Sequence, residues 1–200
     1  MNAGANLSTI TEIENAKYDG HFGIGMYFTW KFHENWQLQP EFFFRFPGGA
    51  RKLPPYSIDN PEFDPILENS SIIRISNYLS LPVHIRYRVW KQFRVSFAPQ
   101  ISLMVSNQDI FYKSLEDEDE VFYNRNSMKE LNRFDFGLSA GVSYKLRQGK
   151  GVNLEARYYF GFIDTDNIIE GATVMNRSIC LYVGIPIGAE KDVKAESSKE

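Results

Sequence analysis

The sequence predicts an all-β fold, an eight-stranded antiparallel up-and-down barrel that crosses a membrane. Three observations predict it: segments alternating apolar and polar residues, connections alternating long and short, and bulky aromatics gathered on one face of each segment. No stretch approaches about 18 continuous apolar residues, so no helix of the chain is long and apolar enough to cross a membrane. The mean hydropathy of -0.35 fits strands that are polar at every second position.

The period-two segments fall at 2–8, 20–32, 36–46, 73–89, 93–105, 133–146, 152–162 and 176–188. Prolines at 40, 82, 99 and 186 argue further against long helices there. The second and third segments are joined only by His33, Glu34 and Asn35, and the fourth and fifth by Trp90, Lys91 and Gln92. Residues 147–151 join the sixth and seventh. The other connections, 9–19, 47–72, 106–132 and 163–175, are long. An outer-membrane barrel has this asymmetry, with short periplasmic turns and long extracellular loops. Segment 47–72 reads as loop through Pro47, Gly48, Gly49, Pro54, Pro55, Pro61 and Pro65, and 106–132 through its acidic run at 116–120. Residues 1–188 are expected to form one barrel domain, and the charged, apolar-poor tail 189–200 to be disordered. No leader precedes the first strand, so a secretory signal peptide is expected to have been removed.

The faces decide the environment. Phe22, Ile24, Met26, Phe28, Trp30 and Phe32 share one face of the second segment, opposite His21, Gly23, Gly25, Tyr27, Thr29 and Lys31. Phe93, Val95, Phe97 and Ile101 oppose Arg94, Ser96, Ala98 and Gln100 in the fifth. Phe and Trp on adjacent strands would overfill an eight-stranded interior, whereas Gly, Ala and Ser suit it. The apolar face is therefore expected to meet lipid. Trp30, Trp36 and Trp90, all three tryptophans, lie beside short turns with Tyr87, Phe93 and Tyr144, as in a periplasmic aromatic girdle. Phe22, Phe46, Phe134 and Phe162 would mark the opposite girdle. A strand of about 11–12 residues tilted by about 40° spans roughly 28–30 Å, enough for an apolar band of about 25 Å.

The polar face then points into the lumen. It carries Glu41, Arg45, Arg74, His84, Arg86, Arg88, Arg94, Asp135, Lys145, Glu155 and Arg157. Buried charges persist when paired and hydrogen-bonded, so these residues predict a packed ion-pair network. A narrow polar path or small-ligand site is the alternative. Basic residues outnumber acids in this set, leaving room for an anion or water.

Catalytic chemistry finds little support. His33 lies in a periplasmic turn, His84 belongs with Arg86 in the lumen set, and His21 has Asp19 close by at the outer rim, where a pair is more often solvated. The acidic run lacks the glycine and spaced ligands of a calcium loop. The single cysteine, Cys180, allows no internal disulfide and no zinc-binding pair. The net charge of -3 with no basic stripe argues against a nucleic-acid partner. No catalytic residue, metal or cofactor is expected. The expected partners are outer-membrane lipid and lipopolysaccharide, with other proteins of an outer-membrane complex as further candidates.

Several strands carry a family resemblance. Trp36-Gln37-Leu38-Gln39-Pro40-Glu41-Phe42, Asn77-Tyr78-Leu79-Ser80-Leu81-Pro82-Val83, Phe134-Asp135-Phe136-Gly137-Leu138 with Ala140-Gly141, and Leu154-Glu155-Ala156-Arg157-Tyr158 with Gly161 occur in that order. The chain resembles the small outer-membrane β-barrel proteins of Bacteroidetes known as PorT-like. Ser80 stands where that family commonly has an acid, and the last strand ends in Ile187-Gly188, not in an aromatic. The resemblance implies the fold and an outer-membrane location. It implies little about activity, although links of some relatives to the type IX secretion and gliding apparatus imply an accessory role in a membrane machine such as one for secretion or barrel assembly. The residues themselves lead to the expectation of a non-enzymatic structural or interaction role. A narrow channel or a lipid-modifying barrel enzyme is the weaker alternative.

Overall fold

A computed structural model describes the chain except residues 12, 14, 15, 63, 68, 69, 115–118, 147–150, 167–172 and 187–200, and except the side chains of 45–49, 66, 114 and 119–122. The elements are β1 (Asn2–Ile10), β2 (Lys17–Tyr27), β3 (Trp30–Lys31), β4 (Trp36–Leu53), α1 (Asp64–Leu67), β5 (Ser71–Arg88), β6 (Phe93–Ser114), β7 (Asp119–Arg125), β8 (Phe134–Lys145), β9 (Asn153–Gly161) and β10 (Asn176–Gly184). Every pairing is antiparallel. The ring runs β1, β2, β4, β5, β6, β8, β9, β10 and back to β1, with β3 prolonging the β2 stave along β4. It is an eight-stave up-and-down barrel, as the alternation predicts.

Two boundaries differ from the sequence expectation. The 20–32 segment is broken between β2 and β3. Phe28 N–H donates to the Pro40 carbonyl, so the side of Pro40 that faces Phe28 would also carry its N–H. Proline has none, and the ladder lapses there. The regions 47–72 and 106–132 are also not simply loops. β4 runs on to Leu53, β5 starts at Ser71, β6 runs on to Ser114, and β7 and α1 add to them. Bulges hide these extensions. The β4–β5 register slips between Arg45 and Gly48 and again between Ala50 and Leu53, where Lys52 adopts φ 60°. Each inserted residue flips the following side chains to the other face, so the period-two signal is lost although the strand continues. Of the acidic run, 116–118 lies outside the described residues, while Asp119 and Glu120 pair with Ser114 and Lys113. The turn 147–150 and the tail 189–200 also lie outside them.

Burial runs opposite to that of a water-soluble protein. Phe22 and Trp90 are each 71% exposed and Phe28 68%, whereas His84 is 0% exposed. Along β5, Leu81, Val83, Ile85 and Tyr87 are exposed between buried Ser80, His84 and Arg86. An apolar belt of this extent around a ring demands a hydrocarbon solvent. Above it, the ends of β4, β5, β6 and β7 form a sheet with its own small core of Ile10, Leu53, Leu67, Ile72, Phe111 and Val174. The single turn of α1 seats Leu67 in that core. Asp64, at the start of α1, accepts hydrogen bonds from Ile58 N (2.8 Å), Asn60 N (3.2 Å) and Ser57 Oγ (2.7 Å), which fix the preceding loop.

Candidate functional site

The lumen is built by alternation. Every second residue of each stave points inward, so residues two apart on one strand meet residues from the opposite wall. Glu41 on β4 and Arg157 on β9 lie four staves apart in either direction around the ring, the full diameter. Arg157 Nη1 donates to Glu41 Oε2 at 2.7 Å and Nη2 to Oε1 at 2.7 Å, a bidentate pair. Glu155, two residues before Arg157, lies 2.9 Å from Arg157 Nε and accepts from Arg86 Nη2 at 2.8 Å. Arg86 Nη1 donates to Gln39 Oε1 at 2.5 Å, and Gln39 Nε2 donates to Glu41 Oε1 at 2.6 Å. The lattice thus closes on itself through Glu41, Arg157, Glu155, Arg86 and Gln39. Thr29 Oγ1 and Asn2 Nδ2 add bonds to Gln39 and Glu41 at 3.0 and 3.3 Å. Two guanidinium groups balance two carboxylates, so the plug holds no net charge from these four side chains.

The other lumen candidates lie at different places relative to this lattice. His84 Nε2 stands 3.9 Å from Glu41 Oε2, and neither ring nitrogen hydrogen-bonds among the described residues. Arg94 and Lys145 are buried towards the short-turn end. Asp135 accepts from Asn176 Nδ2 at 2.9 Å, and Asn176 also reaches Tyr78 OH, on the opposed stave β5, at 3.3 Å. A void of about 20 Å³, lined by Phe43, Ser80, Gln100, Arg157, Tyr159 and Tyr182, has room for a single water. Arg88 does not join the network: it donates from the turn to Asn35 Oδ1 and the Glu34 carbonyl. The side chain of Arg45 lies outside the described residues.

Arg74 sits apart, above the apolar belt, and organises a second cluster. Its Nε and Nη2 donate to Asp109 at 2.8 and 2.9 Å, and its Nη1 donates to Asp166. Tyr56 OH and Ser127 Oγ donate to the same Asp109 oxygen at 2.8 and 2.7 Å. One arginine therefore ties β5 and β6 to the connections holding Tyr56, Ser127 and Asp166. Burial alone would raise the Asp109 carboxyl, but the Arg74 hydrogen bonds and charge outweigh it and hold it below the ordinary carboxylate range. Burial and the Asp109 charge push the Tyr56 phenol up. Sequence reasoning missed Asp109 and Asp166 because both lie in segments read as loops. Their presence removes the apparent basic excess at Arg74.

The aromatic residues beside the short turns lie as follows. Trp36 and Tyr87 meet with ring centroids 4.7 Å apart and planes tilted by 51°, and Tyr144 OH donates to Gln92 at 2.8 Å. Phe93 pairs with Tyr144 across β6 and β8. Trp30 and Trp90 are exposed at the same end.

His21 and Asp19 lie 3.0 Å apart at the outer rim, and the register sets Ser8 across from Asp19. His33 accepts from Asn35 N at 3.4 Å within its turn.

The model of the family described as outer membrane protein beta-barrel domain matches residues 1–167. No protein of curated function matches the chain in sequence. The fold is similar to that of Ail, the attachment invasion locus protein of Yersinia pestis: 14% identity over 92% of this chain and 94% of that chain, TM-score 0.51. The same protein in complex with the heparin analogue sucrose octasulfate gives 14% identity, the same 92% and 94% coverage and a TM-score of 0.50. Neisserial surface protein A aligns at 11% identity over 93% of this chain and 95% of that one, TM-score 0.48. At such identity the likeness to Ail speaks for the fold alone. With the exposed apolar belt, the sealed ring and the family match together, the chain belongs to the outer membrane protein beta-barrel domain family and is an integral outer-membrane β-barrel.

Proposed function

We propose that this protein is a closed, non-catalytic barrel that displays an ordered outer sheet for interaction at the cell surface. The observation that carries this reading is the bidentate Glu41–Arg157 bond across the whole diameter. A lumen spanned by a charge-balanced lattice offers no continuous path for solutes, which supports a membrane-embedded scaffold over a channel. Above it, the extended ends of β4, β5, β6 and β7 are held by an apolar core and by Arg74. Ordering so much chain costs conformational entropy, and surfaces held rigid in this way favour recognition. In this reading residues 1–188 act as one barrel domain, the lumen charges serve as a plug, and the Trp30, Trp36 and Trp90 cluster anchors the barrel at the periplasmic interface.

The PorT-like resemblance supports a more specific role, as an accessory subunit of a larger outer-membrane secretion, gliding or assembly machine. Copurification from native outer membranes in mild detergent tests both. A stoichiometric partner supports the interaction role, and a partner from such a machine supports the accessory one. Recovery of the barrel alone counts against both. Planar-bilayer recording tests closure separately: no conductance steps are expected, and reproducible steps would contradict it.

A further inference from the structure

The buried Arg74, Arg86 and Arg157 bond to carboxylates, whereas Arg177, half-buried, does not. On β10 the even positions Ser178, Cys180 and Tyr182 are buried and the odd positions Ile179, Leu181 and Val183 are exposed to lipid. Arg177 shares the odd face and follows the last of these apolar residues at the outer end of the strand. It is held there in a defined pose. Its guanidinium carbon lies 3.6 Å from the centroid of the Phe160 ring, its direct partner on β9. Its Nη1 donates to the carbonyls of Gly161 at 2.8 Å and Asn176 at 2.9 Å, and its Nη2 reaches Met175 Sδ at 3.8 Å. Phe160 packs in turn on Phe162, which packs on Phe136, forming an aromatic shelf on the outer face. Thr9 of β1 pairs with Arg177 from the other side and shares its face.

Among the described residues no carboxylate pairs with Arg177. A guanidinium at the edge of hydrocarbon without a counterion is costly, and the Nε–H and the rest of the Nη2 group remain to donate. These donors form a fork suited to a tetrahedral oxyanion, and the carbonyl bonds at Nη1 with the ring stacking keep it from swinging inward. The anion available at that depth, on the lipid side, at the outer rim, is a headgroup phosphate. We propose that Arg177, on the Phe160–Phe162 shelf with Thr9 beside it, binds a phosphate of an outer-leaflet phosphorylated glycolipid. This goes beyond the scaffold reading and rests on the outer-membrane location alone, not on the sealed lumen.

The test uses folded full-length protein in detergent micelles, with native mass spectrometry reading bound lipid during titration. The probes are bisphosphorylated lipid A, phosphatase-treated lipid A and phosphatidylglycerol. Wild type should hold bisphosphorylated lipid A about tenfold more tightly than Arg177→Gln does, and should hold the dephosphorylated lipid no better than the variant does. Phe160→Leu, which keeps the charge but removes the shelf, should fall between them. Lys91→Gln, a turn charge at the other end, should bind as wild type. Heat-modifiable gel migration identifies folded protein for each variant. Equal binding by wild type and folded Arg177→Gln would overturn the site, as would equal binding of the dephosphorylated lipid. Equal or tighter binding of phosphatidylglycerol would overturn the assignment to a glycolipid.

Discussion

Arg157 donates to both carboxylate oxygens of Glu41 at 2.7 Å although the two lie 116 residues apart in sequence and on opposite walls of the ring. A one-residue slip of either strand would turn one of these charges into lipid, so the pair also fixes register.

Breaking the pair from one side should be severe. Glu41→Gln or Arg157→Met leaves the opposite charge buried with fewer partners, which costs about 3–5 kcal/mol. In urea unfolding of the detergent-folded barrel, each single variant should lower the midpoint with an unchanged slope. Replacing both with apolar residues of matching volume should recover most of the loss, because no charge is then stranded.

The outer cluster gives a pH prediction. The Asp109 carboxyl is held below its ordinary value, because Arg74 outweighs the penalty of burial. Its contribution is therefore present above the unfolded value of about 4 and is lost as pH falls through the lower folded value. Hydrogen-exchange protection factors at the outer ends of β4, β5, β6 and β7 should hold between about pH 5 and 8 and fall in acid, while the membrane-spanning parts of the staves keep theirs. Asp109→Asn should lower that protection between about pH 5 and 8 and remove its acid dependence. Equal acid sensitivity of β9 and β10 would show that the cluster does not act locally.

The membrane-spanning staves were legible in the sequence because lipid and lumen impose opposite chemistry on alternate residues. Phe97 and Gln100 declare their faces without any structure. The outer sheet was not legible. Its bulges at 45–48 and 50–53 break the alternation, and Pro47 with Gly48 and Gly49 imitates a turn inside a continuous strand. The lumen charges could be named, but their partners could not: strand order around a closed ring decides that Arg157 meets Glu41. Arg74 was grouped with the lumen for the same reason, since Asp109 and Asp166 become its partners only when the outer extensions are folded.

Gly25 tests the packing beside the plug. A Cβ there would lie 2.4 Å from the Phe43 ring and 2.8 Å from the Phe42 carbonyl. Gly25→Val should displace Phe43 from its edge contact with Tyr182 and destabilise the barrel by about 1–3 kcal/mol. Gly20→Ala, where the nearest foreign atom is 3.4 Å away on the flexible Leu7 side chain, should have little effect in the same assay.

The tryptophans test the depth of the barrel. Trp30, Trp36 and Trp90 are exposed beside the short turns, so all three should be quenched most by lipids brominated near the carbonyl region. Strongest quenching from the chain ends would place them at mid-bilayer and contradict the girdle.

The bond across the diameter is tested most directly by a double-mutant cycle on Glu41→Ala and Arg157→Ala in reversible urea unfolding. Residues that meet across the lumen should show a coupling of about 1–3 kcal/mol, the double variant losing less than the sum of the singles. Additivity within about 0.5 kcal/mol would mean that the two side chains do not meet, and would contradict the sealed lumen.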